Sequence, residues 1–258
     1  MAHGMNNRFQ DFFTEQPYVV LKNHLYNYLL RMRAVRRSVG RRDRGYTLEV
    51  GSGISPMHSG GKGVVFSDLS FDALAILKKT SSSAMYVVAD GMNLPFKDGA
   101  FMNVICSEVL EHIEHDRDAV RELAGVTHAA GTLIITFPHR KRYFALDDRF
   151  VGHHRRYELS DMVDMLEASG LKAVHVEKVL GPLEKITMWT VVLCYSAIEK
   201  RLHFQSTDRG GHAKIAHLIL PIFKWLNTVY MGLAWLDARI MPRSLSAVLL
   251  IQAKRTGD

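Results

Sequence analysis

The sequence predicts an α/β fold built on a mostly parallel sheet. Three observations point there. Strand-like and helix-like segments alternate from residue 46 to 179. The first strand candidate ends in Gly51-Ser52-Gly53. The next two end in acidic residues, Asp68 and Asp90. Alternation of this kind builds βαβ units and a sheet covered on both faces.

Taken in order, residues from about Pro17 to Val39 predict a helix, with Leu21, Leu25, Tyr28, Leu29 and Met32 at helical spacing. Residues 17–44 together form a basic N-terminal element, carrying Arg31, Arg33, Arg36, Arg37, Arg41, Arg42 and Arg44. That cluster reads either as a solvated helix end whose cations suit the C-terminal dipole or as a patch for phosphate or anionic headgroups. Strands are expected at Tyr46–Val50, Gly63–Ser67, Ala84–Ala89, Phe101–Cys106 and Gly131–Phe137. The runs Val64-Val65-Phe66 and Leu133-Ile134-Ile135 are continuously apolar, as in strands buried on both sides. Helices are expected at Asp72–Lys79, Asp116–His128 and Ser160–Ser169, the last with Ser160 as N-cap and Gly170 beyond its end. Strands from about Leu171 to Val179 and from Ala247 to Ala253 complete the set. Between these last two lies a segment, 181–244, too long for a plain connection. It contains helix candidates at Glu184–Leu202 and Ala213–Ile240.

The chain has 258 residues, 47% of them hydrophobic, and a formal net charge of +7. The apolar fraction excludes a disordered chain, and the basic balance favours an anionic partner or surface. Cys106 and Cys194 sit in apolar contexts and form neither a disulfide framework nor a metal cluster, so a reducing, cytoplasmic compartment is expected. The first residues are polar, without an apolar leader. Lys224, Asp237 and Arg239 interrupt the apolar part of 181–244, so no window reaches the ~20 uncharged residues of a membrane span.

Glycines at a strand end let backbone approach a cofactor, because a Cβ would block it and φ there is often positive. Leu48-Glu49-Val50-Gly51-Ser52-Gly53, Ser67-Asp68-Leu69-Ser70, Ala89-Asp90-Gly91-Met92 and Ser107-Glu108-Val109-Leu110-Glu111-His112 follow one another at strand ends. With these, the chain resembles the class I S-adenosylmethionine-dependent methyltransferases, in particular their small-molecule group. The resemblance implies a Rossmann-like, doubly wound, seven-stranded sheet with the last strand antiparallel, residues 1–258 as one domain, an N-terminal helix over the cofactor cleft and 181–244 as a helical insertion.

The resemblance also implies S-adenosyl-L-methionine as cofactor, held by Glu49, Gly51, Ser52, Gly53, Asp68, Leu69, Asp90, Gly91, Met92, Ser107 and Glu108. Asp68 would take the ribose hydroxyls, Asp90 the adenine amine, and the loop after the fourth strand would lie beside the methyl group. Ser55 stands where the family often has a third glycine, with Pro56 after it. A dehydrogenase would need Gly-x-Gly-x-x-Gly, which residues 51–56 do not supply.

Asp148 to Tyr157 contains Gly152-His153-His154-Arg155-Arg156-Tyr157, similar to a Gly-His-x-Arg-Arg-Tyr signature in a subset of these enzymes. It implies His153 as general base, with His139 as a second candidate, and Arg155, Arg156 and Tyr157 at the substrate. The bland alternative is that these side chains tie the loop to the sheet. His112 and His115 read as helix-surface residues. No metal ligands are expected, which disfavours a Mg²⁺-dependent catechol type. No Asn-Pro-Pro-Tyr motif follows the fourth strand, and Cys106 lacks a following proline, so base methylases are disfavoured and no nucleic acid is expected.

The expected activity is methyl transfer to a small or lipid-linked acceptor, such as a hydroxyl of a glycan or a polyprenyl or glycolipid intermediate. A nucleic-acid methyltransferase and a non-catalytic cofactor-binding subunit are the alternatives. The insertion, with Trp189, Leu220, Phe223 and Trp225, either packs on the sheet edge or a second subunit in a homodimer, or lies on an anionic membrane surface at its inner face.

Overall fold

The computed structural model describes residues 24–39, 45–80, 83–191 and 212–255, with side chains in the last span from 224 onward. The first described element is helix α1 (Tyr26–Val39). Strand β1 (Thr47–Val50), β2 (Val64–Asp68), helix α2 (Phe71–Thr80), β3 (Met85–Val88) and β4 (Phe101–Ser107) follow. Next come α3 (Asp116–Val126), β5 (Thr127–Pro138), the short α4 (Leu146–Phe150), α5 (Leu159–Ala168) and β6 (Leu171–Leu180). Residues 182–191 form α6, and α7 (His212–Ile240) leads to β7 (Val248–Arg255). Short 3₁₀ turns occupy Leu110–His112, Lys141–Tyr143 and Arg243–Leu245.

The seven strands form one sheet in the order β3-β2-β1-β4-β5-β7-β6. β1 to β5 pair in parallel, and β7 runs antiparallel between β5 and β6. The expected doubly wound sheet with an antiparallel last strand is therefore present. Successive strand residues serve opposite faces, as the pleat requires. Val104, Leu133, Ile135, Leu249 and Ile251 pack on one side with Ala119, Val120 and Leu123 of α3 and Met162 and Leu166 of α5. Ile105, Ile134, Val248 and Leu250 pack on the other with Leu30, Ala34 and Val35 of α1 and Ala234 of α7. Both faces are buried, which is why the central strands read as unbroken apolar runs.

One register shift separates Phe101 from Asn103 along the β4–β5 pair. Gly131 sits there because an added Cβ would come within 3.0 Å of the Met102 and Phe101 carbonyl oxygens. Strand β5 starts earlier than the expected Gly131, and α3 stops at Val126, because Thr127 passes directly into the sheet. Helix α5 starts one residue early. Its N-cap is Glu158, whose N–H donates to Asp161 Oδ2 at 2.9 Å, in place of Ser160.

The helices between β6 and β7 fold back on α1. Glu184 is buried and accepts hydrogen bonds from the Tyr26 hydroxyl and from Asn27 Nδ2. Asn227 Oδ1 accepts the Tyr26 N–H at 3.0 Å. Asp237 Oδ2 accepts the Leu183 N–H at 2.9 Å. The expected helix residues before 24, Arg41, Arg42, Arg44, Cys194 and the side chains of Leu220 and Phe223 lie outside the described residues. Cys106 is a buried free thiol.

Candidate active site

Away from β1 the chain winds one way through β2 and β3 and the other way through β4 and β5. The crevice beyond the carboxyl ends of β1 and β4 is therefore the switch point where such sheets take ligands. Gly51 and Gly53 have φ of 70° and 53°. A Cβ on Gly51 would stand 2.3 Å from Val109 Cγ2, so the turn after β1 and the turn after β4 meet only because residue 51 has no side chain.

Three carboxylates shape this edge. Glu49 is buried, and its two oxygens accept the Met57 and His58 N–H groups at 2.6 and 2.9 Å. Burial pushes its pKa up to about 7 against those two hydrogen bonds. Glu49, expected at the cofactor, pins the segment that follows the glycine turn. Asp68 Oδ2 accepts the Gly53 N–H and Oδ1 the Ser70 N–H, both at 2.8 Å, so it ties the β1 turn to the end of β2. Asp90 Oδ1 accepts the Met92 N–H at 2.9 Å and closes a turn over Gly91. Leu69, 57% exposed, offers an apolar surface beside Asp68.

The turn after β4 is held by β5 and α1. The Ser107 hydroxyl lies 2.7 Å from Thr136 Oγ1, and the Glu108 N–H donates to the Thr136 carbonyl. Glu108 takes a φ of 55°, and Arg31 Nη1 lies 3.4 Å from its carboxylate. Tyr28 donates to the Pro56 carbonyl and Arg36 to that of Met57, so α1 flanks the same edge.

His153 arrives from the loop after α4. Its Nδ1 is 3.0 Å from Asp148 Oδ1 and its Nε2 is 3.7 Å from Glu111 Oε1. The His112 ring stands edge-on to it, centroids 4.7 Å apart, with Nδ1 3.3 Å from the Gly152 carbonyl. Burial and the neighbouring His153 push the His112 pKa down to about 4. His112 is thus partly buried and faces the site, whereas His115 is exposed as expected of a surface residue. Glu111 is fully buried, and burial with Glu108 nearby raises its pKa well above the carboxylate range. Sequence reasoning missed Glu111, because a glutamate between Leu110 and His112 looks solvent-facing.

Arg156 and Tyr157 of the same loop turn inward. Arg156 is buried and donates from Nε to Asp148 Oδ1 at 2.6 Å, and from Nη1 to the His139 and Ala247 carbonyls. Lys185 donates to Asp147 and Asp148. Burial alone would raise the Asp148 pKa, but His153, Arg156 and Lys185 hold it below the usual range. The Tyr157 hydroxyl donates to Asp116 Oδ2 at 2.8 Å, and Arg155 pairs with Asp116 and the Glu114 carbonyl. These three side chains, expected at a substrate, brace the loop through these bonds. His139, expected as a second base, is buried with Nδ1 3.0 Å from the Ser246 carbonyl, and burial lowers its pKa. There it ties the end of β5 to the start of β7.

The sequence of this edge matches a known family. The family described as "Methyltransferase domain" matches residues 48–135. That match spans about a third of the chain, from β1 into β5. A curated relative, the demethylmenaquinone methyltransferase of Streptomyces griseus, is 34% identical over 107 residues, covering 40% of this chain and 46% of that protein. The chain thus spans about half the length of the curated relative it matches. Among solved structures, a chain from the complex of the Haloferax volcanii Trm112 methyltransferase activator with a methyltransferase superposes with a TM-score of 0.62 at 11% identity, covering 98% of this chain and all of that one. The phosphoethanolamine N-methyltransferase 2 of Haemonchus contortus, in complex with S-adenosyl-L-methionine, gives 0.57 at 16% identity, covering 96% of this chain and 60% of that one. At these identities the likeness is one of fold alone, a Rossmann-like sheet.

The residues present fit S-adenosyl-L-methionine. The Ser52 and Ser55 hydroxyls at the glycine turn are buried and have no hydrogen-bond partner among the described residues. Buried polar atoms are seldom left so, and a ligand with a charged amino-acid group would satisfy them.

Proposed function

We propose that this chain transfers a methyl group from S-adenosyl-L-methionine to a small or lipid-linked acceptor. The observation that carries the reading is the meeting of the Gly51–Gly53 turn, Asp68 and Asp90 at one sheet edge, inside the segment that matches a methyltransferase domain. The cofactor supplies an electrophilic methyl on a good leaving group. The chain supplies position, which in oriented systems is worth up to about 7–11 kcal/mol. Gly51 and Gly53 let backbone approach the amino-acid portion, Asp68 offers its carboxylate to the ribose, and Leu69, Gly91 and Met92 bound the adenine. Ser107 and Glu108 border the methyl, and His153, held by Asp148, is the imidazole on the acceptor side.

A lipid-linked acceptor is favoured by the outer face of α7. Trp225, Val229, Leu233, Leu236 and Ile240 recur at helical spacing and are all about half exposed or more, while Asn227, Ala234 and Ala238 face inward. Trp189 on α6 is also half exposed, and Arg239 lies over the Trp235 ring. No helix among the described residues is long and apolar enough to cross a membrane. An exposed apolar stripe beside basic residues suits adsorption to an anionic membrane surface, and the name of the Streptomyces relative accords with a lipid-like acceptor. A homodimer through the same stripe, a nucleic-acid substrate and a non-catalytic subunit are the competing readings.

The test is calorimetry with S-adenosyl-L-methionine on the full chain, followed by mass-spectrometric detection of methylated product from polyprenyl, glycolipid and RNA acceptors. Cofactor binding with methylation of an amphipathic acceptor is the expected result. Absence of binding at millimolar cofactor would overturn the reading. Binding without turnover on any acceptor would favour the non-catalytic subunit.

A further inference from the structure

We propose that Glu111, His112 and His153 form a binding site for one first-row divalent cation on the acceptor side of the crevice. The three side chains offer one carboxylate oxygen and two imidazole nitrogens, and these atoms lie within 4.8 Å of one another. One pair, Glu111 Oε1 and His153 Nε2, is 3.7 Å apart. Ligands about 2.0–2.2 Å from a tetrahedral ion stand roughly 3.4 Å from each other, so this pair needs almost no movement.

Two further observations point to a cation. Glu111 is 0% exposed, and neither of its carboxylate oxygens has a hydrogen-bond partner among the described residues. A buried carboxylate in that condition is costly unless it takes up a proton or meets a positive partner. Each imidazole also has its Nδ1 on an acceptor outside the cluster, the Asp148 carboxylate for His153 and the Gly152 carbonyl for His112. Such outer partners select the tautomer with a proton on Nδ1 and a lone pair on Nε2, which is how metal-ligating histidines are oriented. Asp148 is itself fixed by Arg156 and Lys185, so the arrangement is rigid.

Two nitrogens and one carboxylate suit Zn²⁺, Co²⁺ or Mn²⁺ better than Mg²⁺ or Ca²⁺, which prefer oxygen. Three protein ligands leave a coordination position open, as in sites that meet a substrate. The site lies on the turn after β4. Under the methyltransferase reading, on which this role rests, that turn is next to the methyl group. The open position would then receive the acceptor oxygen, and the ion would favour loss of its proton to solvent as the methyl carbon moves from sulfur to oxygen. His153 would serve as a ligand in place of a free base.

The test uses the purified full chain stripped with chelator and titrated with CoCl₂, read by visible absorption and by metal content after dialysis. One equivalent of Co²⁺ with d–d bands of a four- or five-coordinate ion is expected. Glu111→Gln and His153→Ala should each weaken it by about 100-fold or more, beyond the 10–100-fold typical of losing an outer partner. Calorimetry with S-adenosyl-L-methionine on each variant shows whether it is folded, and His153→Ala, at a loop, serves if Glu111→Gln is not. A stripped protein that binds the cofactor but no Co²⁺, or variants that bind Co²⁺ as the parent does, would overturn the site and leave the methyltransferase reading standing. Co²⁺ binding without cofactor binding would support the site and count against that reading.

Discussion

Asp68 joins two turns with one carboxylate, Oδ2 to the Gly53 N–H and Oδ1 to the Ser70 N–H. Replacing it with alanine removes both the tie and the proposed ribose contacts. Asp68→Ala should weaken S-adenosyl-L-methionine binding by roughly 1–3 kcal/mol, the range for charged hydrogen bonds, measured by calorimetry. An unchanged affinity would withdraw that carboxylate from the cofactor site. Glu49 gives a pH signature. Its folded pKa, about 7, lies above its ordinary value of 4.5, so the folded state holds the proton more tightly. The resulting stability is fully present below pH 4.5 and is lost as pH rises through 7. Thermal melting of the parent against Glu49→Gln should therefore show the parent falling relative to the variant across that window and running level above it. Parallel curves throughout would contradict a buried, proton-binding Glu49.

At the level of elements, the contact between the insertion and the sheet edge is close-packed. Gly181, between β6 and α6, has no room for a side chain: a Cβ would lie 2.2 Å from Asp237 Oδ2 and 3.0 Å from the Ala238 backbone nitrogen. Since Asp237 also holds the Leu183 N–H, it cannot swing away without loss. Gly181→Ala should cost roughly 1–3 kcal/mol in urea unfolding, the range for overpacking. A neutral result would mean that α6 and α7 dock less firmly than the structure shows. The same docking explains why α7 carries apolar residues on two faces. The inner one meets Tyr26 and its neighbours on α1, and the outer one has no partner among the described residues.

For the whole molecule, a formal charge of +7 and an exposed apolar stripe act together. Arg36 and Arg37 are partly spent on internal acceptors, Met57 O and Glu177, while Arg33 is exposed. Basic residues near an anionic surface contribute about 1 kcal/mol each and are screened by salt. The chain should co-float with anionic liposomes at low salt and be released at high salt, and Trp225→Ser with Leu233→Ser should reduce flotation severalfold. A monodisperse sample that never co-floats would rule out the membrane surface. A dimer abolished by the same pair of substitutions would assign the stripe to a second copy.

The order of strands and helices, the glycine turn and the acids at the ends of β2 and β3 were legible in the sequence. These are short-range signals: the two-residue period of a strand, the absent Cβ at Gly51 and an acid at a strand's end all act within a few residues. The double-faced burial of β5 showed itself as the run Leu133-Ile134-Ile135 for the same reason. The tertiary structure alone decided the rest. It turned Arg156 and Tyr157 inward to Asp148 and Asp116, buried His139 against the Ser246 carbonyl, and set Glu111 and His112 against His153. Those partners are far apart in the chain, and their meeting depends on where β5 and α4 deliver the loop. A side chain's residue type states what it can bind, but only the packing of distant elements determines which group it finds.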